Sequence, residues 1–84
     1  MRVVPERISR DWIDTLSDED LVDVEARLHT KFSTLEKREK KARGPRFDMM
    51  RASADLIDAW DRWSRLLNAT RERALIPRRA ELAS

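Results

Sequence analysis

Eighty-four residues without a cysteine describe one small domain that has neither disulfide staples nor thiolate zinc sites to hold it together. Its 18 Lys and Arg against 16 Asp and Glu leave a net charge of only +2, which gives no global pull toward a polyanion. No uncharged apolar run approaches the roughly 18 residues of a membrane span, and the start MRVVPERISRDW lacks an apolar signal core, so a soluble, cytoplasmic protein is expected.

One glycine and three prolines punctuate the chain, at Pro5, at Gly44 with Pro45, and at Pro77. Between them the apolar residues recur at helical spacing and never alternate as a strand would, which predicts an all-α fold. Residues 1–8 are expected to be a flexible N-terminal segment, residues 9–76 a single helical domain, and residues 77–84 a flexible tail. The first helix, residues 10–16 with Ser9 as its cap, carries Trp12, Ile13 and Leu16 on one side. The second, residues 17–43, opens at SDED, where Ser17 caps and three acids meet the positive end of the helix dipole. It closes at KKARG, where cations suit the C-terminus and Gly44 can take a left-handed conformation. Pro45 then suits the first turn of a third helix, residues 45–76, which Pro77 stops.

A tight turn between two long helices predicts an antiparallel helical hairpin. At about 100° per residue, Leu21, Val24, Leu28, Phe32 and Leu35 fall within roughly 80° of the second helix, a seam that one neighbour satisfies. The apolar residues of the third helix spread over roughly 200°, more than one partner covers. The short first helix cannot shield its apex half, so a homodimer that completes a helical bundle is expected, with coiled-coil-like contacts. Its interface, or a partner's, would use Met49, Leu56, Ala59, Trp60, Trp63, Leu66 and Leu67. A tryptophan at the centre of an uncovered patch is the kind of residue that anchors a protein partner.

Little in the chain suggests chemistry. His29 follows Glu25 by four residues, half of a metal site at best, and with no other His or Cys a solvated Glu–His pair on the helix surface is the favoured reading. There is no glycine-rich phosphate loop and no nucleophile motif, so no catalytic residue, cofactor or metal is assigned, and a non-enzyme is expected. Asp58 with Arg62, Asp61 with Arg65, Asp23 with Arg27, Glu36 with Lys40, and Glu39 with Arg43 are i,i+4 pairs that read as solvated faces.

Charge is concentrated at one place. Residues 37–46 hold six cations against one acid, whereas residues 1–36 hold five against nine. Lys37, Arg38, Lys40, Lys41, Arg43 and Arg46 would sit together at the tip of the hairpin, where several phosphates could be contacted at once. The same residues also suit a helix C-terminus that must be solvated in any case, and no known nucleic-acid motif accompanies them. The sequence therefore points first to a small interaction module, an accessory, regulatory or inhibitor protein that binds a macromolecular partner. A nucleic-acid-binding regulator acting through the basic tip is the second reading.

Overall fold

The computed structural model describes residues 4–79. Among them every regular element is helical: α1 (Arg10–Asp14), α2 (Asp18–Arg43) and α3 (Ala54–Glu72), with two short 3-10 turns, Gly44–Arg46 and Met49–Arg51, between α2 and α3. No helix among the described residues is long and apolar enough to cross a membrane.

Serine starts each helix. The hydroxyls of Ser9, Ser17 and Ser53 accept hydrogen bonds from the backbone N–H of Trp12, Asp20 and Leu56 at 3.1, 3.1 and 3.3 Å. Each satisfies one of the N–H groups that a helix start leaves without an internal partner. The first two caps are where the sequence places them, and the third corrects the expected start of the last helix from residue 45 to Ala54. Gly44 stands at φ 60°, ψ −137°, a region closed to most side chains, and turns the chain out of α2. Pro45 lies in the first 3-10 turn, and Asp48 caps the second by accepting from Met50 N–H at 3.0 Å. These local side-chain bonds compete with a continuous helix, and Phe47, Met49 and Ala52 instead fold back onto the packed interior.

The far end of α3 is also earlier than expected, at Glu72 rather than residue 76. Ala74 adopts a left-handed conformation, φ 57°. Leu75 N–H then bonds to Thr70 carbonyl and Ala74 N–H to Arg71 carbonyl, both at 3.0 Å, the paired reversal that commonly closes helices. Leu75 packs onto the core after this reversal.

Two apolar groups form the interior. Ile8, Ile13 and Leu16 cover Leu21, Val24 and Leu28 of α2 and Leu66 and Ala69 of α3. Phe32 packs with Leu56 and Ala59 in the second group, and Trp63 touches both. The N-terminal segment expected to be flexible is therefore packed over residues 4–8: Ile8 is buried, Val4 lies against the core, and Arg62 donates to Pro5 carbonyl at 2.9 Å. That bond replaces the expected Asp58–Arg62 pair. The other four surface pairs form, with N···O distances from 3.0 Å for Arg27–Asp23 to 3.8 Å for Arg43–Glu39. Of the expected flexible tail, residues 77–79 are anchored through Arg78 and Arg79, and residues 80–84 lie outside the described residues.

Candidate functional site

The broad apolar arc of α3 divides into an inner and an outer face. Leu56, Ala59, Leu66 and Ala69 are buried against α2 and the N-terminal segment. Trp63 belongs to the inner face too. Its ring stacks on Phe32 at 5.1 Å and 14°, and its Nε1–H donates to Glu25 at 2.7 Å. Leu56, Ala59, Trp63 and Leu66 are thus spent within the chain, which corrects their expected place at an interface: helical spacing at about 100° per residue puts them roughly 100–180° around the helix from Ile57. What stays outward is Ile57 and Trp60, with half-buried Ser64 and Leu67 beside them and exposed Met50 in the turn before α3, while Met49 is half-buried between this face and the interior. Trp60 is 46% exposed and Met50 87% exposed, and these two line one apolar depression with Met49 and Ile57. Ile57, Trp60, Ser64 and Leu67 fall at the alternating three- and four-residue spacing of a helix-packing seam.

The six cations of the basic stretch, Lys37, Arg38, Lys40, Lys41, Arg43 and Arg46, lie along the last turns of α2 and the 3-10 turn that follows, and all are exposed. Two of them have local tasks. Arg43 donates to Arg51 carbonyl at 2.9 Å, and Lys40 pairs with Glu36 while its ammonium lies 5.5 Å from the centre of the Phe47 ring. Glu39, the one acid in the stretch, accepts from Ser53 N–H at 3.0 Å, and these hydrogen bonds, with Arg43 nearby, hold its carboxyl below the ordinary value. Exposed Arg51 adds a further cation beside the tip.

A third locus was misread in the sequence. Glu25 is not a solvated partner of His29 but is fully buried, 0% exposed. Burial alone would push its carboxyl up. The hydrogen bonds of Arg79 and Trp63, followed by the charge of Arg79 and nearby His29, outweigh that cost and leave it below its ordinary value. Arg79 supplies a two-pronged contact, Nη1 to Oε1 and Nη2 to Oε2, each at 2.7 Å. His29 stands edge-on to Trp63 with ring centres 5.1 Å apart and its Nε2 lies 3.4 Å from Ser33 Oγ. One signal was available: on a helical projection Glu25 falls only about 20° beyond the apolar seam of α2, closer to its centre than a solvated residue would be.

Among the described residues no three His, Asp or Glu side chains gather in a way that could hold a metal ion. No protein-family model matches the chain, and no curated protein or solved structure shows a significant similarity to it.

Proposed function

We propose that this chain is a non-enzymatic helical interaction module, an antiparallel hairpin that pairs with a second copy through the outer face of α3 and serves a macromolecular partner as an accessory, regulatory or inhibitor protein. The hairpin reading is supported by contacts that run in opposite order along the two helices: Asp18 with Arg73, Glu25 with Trp63, and Glu39 with Ser53. The observation that carries the association reading is the outer seam itself. In a chain with 40% charged residues, Trp60, Ile57 and Met50 stand exposed side by side, although complete burial of a fully exposed apolar side chain is worth about 1.5–3 kcal/mol. Contiguous apolar surface of this kind is what association sites expose.

The seam also fits itself. Two copies of α3 laid antiparallel would set bulky Trp60 against small Ser64 of the second copy, and Ile57 against Leu67, twice over by the two-fold symmetry. Trp60→Glu tests the reading, because it places a charge in the seam without touching the buried inner face. Sedimentation velocity should show the mass halved while helix content stays unchanged. An unaltered mass would remove α3 from the interface.

The exposed cations Lys37, Arg38, Lys41 and Arg46 favour a second reading, nucleic-acid binding at the tip. Replacing the four with Ala should then abolish retention of a short duplex and flatten its salt dependence. Equal binding by the variant would dispose of that reading.

A further inference from the structure

Glu25 is bound in a way that resembles a receptor more than a surface ion pair. Both carboxylate oxygens are engaged by a planar guanidinium at 2.7 Å, and Oε2 also accepts from the indole of Trp63 at 2.7 Å. The carboxylate is 0% exposed, and the Arg79 side chain is 16% exposed. Parallel N–H···O contacts of this kind match arginine and not lysine, whose ammonium is a single strongly hydrated point. Trp63 is fixed in turn by stacking on Phe32, so the carboxylate and the indole keep their places whichever arginine arrives.

The segment that brings Arg79 is slight by comparison. It follows the left-handed reversal at Ala74, and the described residues after Leu75 form no helix of their own. Ile76 is 87% exposed, and the Arg78 contact to Asp23 is long, 3.9 Å. Arg78 and Arg79 themselves lie in a shallow groove whose other walls are Ala26, Arg27, His29, Thr30 and Lys31, with room for residues flanking an incoming arginine once the segment has left it.

We propose that Glu25 and Trp63 form an arginine-recognition site, occupied in the resting chain by its own Arg79, so that residues 77–79 act as an internal plug and an arginine side chain of a partner polypeptide is the ligand that displaces it. A tethered arginine competes at an effective concentration of roughly millimolar, so a partner must bring contacts beyond the guanidinium to win the site.

The test begins by emptying the site in the full chain with Arg79→Ala and adding ethylguanidinium at low millimolar concentration, followed by thermal melting read by circular dichroism. A saturable rise in Tm is expected for Arg79→Ala, and none for the native chain or for Glu25→Gln/Arg79→Ala. Ethylammonium at equal ionic strength should give less. If Arg79→Ala is unfolded without ligand, recovery of helical signal on adding ethylguanidinium is the equivalent result. Absence of any saturable response, or the same response in the double variant, would overturn the site. Displacement is read with a fluorescein-labelled Leu-Ile-Pro-Arg-Arg peptide, which should bind Arg79→Ala at least about tenfold more tightly than the native chain. Equal affinity for the two, or no loss when the last arginine is norleucine, would overturn the plug.

Discussion

Replacing Trp63 with Phe isolates one bond from the packing around it. The six-membered ring of Phe can still stack on Phe32, where the rings now lie 14° from parallel, but nothing remains to donate to Glu25 Oε2 at 2.7 Å. A hydrogen bond to a charged group contributes about 1.5–3 kcal/mol, and the smaller ring leaves a void costing about 1 kcal/mol more. A loss of about 2.5–4 kcal/mol is therefore expected, which at roughly 4–8 °C per kcal/mol for a domain of this size lowers Tm by at least about 10 °C. Urea unfolding followed by circular dichroism at one fixed protein concentration measures it. In a Glu25→Met background, which offers no carboxylate, the same replacement should cost only about the 1 kcal/mol of the void. Equal costs in the two backgrounds would refute the reasoning, since the indole N–H would then contribute nothing.

Leu56→Asp should unfold the chain instead of separating copies, because Leu56 is buried at 1% exposure between Phe32 and Ala59; a folded monomer seen by circular dichroism and sedimentation would contradict the inner-face assignment. Glu25 and Glu39 both have folded pKa values below the ordinary 4.5, so the unfolded chain binds more protons as pH falls through that region. Their contribution to stability is full above the unfolded value and is lost as pH drops through the folded ones, and Glu25→Gln should make the urea midpoint less dependent on pH in this acid range. An unchanged slope would show that Glu25 does not carry it. Ala74→Gly should raise stability by about 0.5–1 kcal/mol, since the left-handed strain of about 1–2 kcal/mol at φ 57° exceeds the entropy a glycine adds to the unfolded chain; a lower Tm would contradict it. Gly44→Ala should cost about 1–3 kcal/mol through backbone strain alone, because a Cβ there would meet no atom within 4 Å, and an unchanged urea midpoint would count against that conformation.

Helix type and the first two helix starts were legible because Ser9 and Ser17 each precede an acidic or apolar-periodic run, and the same bonds appear in the structure. The seam of α2 was equally plain, and Leu21, Val24, Leu28 and Phe32 are all buried. The start of α3 was not. Pro45 is compatible with a first helical turn, and only the side chains of Asp48 and Ser53, acting with Gly44, decide that the chain makes two 3-10 turns first. That difference matters for the candidate site, because Phe47, Met49 and Ala52 then close part of the gap that a longer helix would leave open. Helical periodicity also could not divide the wide arc of α3. Trp60 and Trp63 are three residues apart, and which of them faces inward depends on Glu25 and Phe32, from another helix. Glu25 itself was hidden for a related reason: its partner Arg79 is 54 residues away, beyond a proline that suggested a free tail.

The self-association of α3 is tested most directly by the solution mass of the native chain, measured by light scattering during size-exclusion chromatography across low micromolar concentrations. The proposal expects a constant mass of about 20 kDa, twice the 9.9 kDa of one chain. A well-folded species of 9.9 kDa at every concentration would contradict it and leave Trp60 and its neighbours open to a different protein.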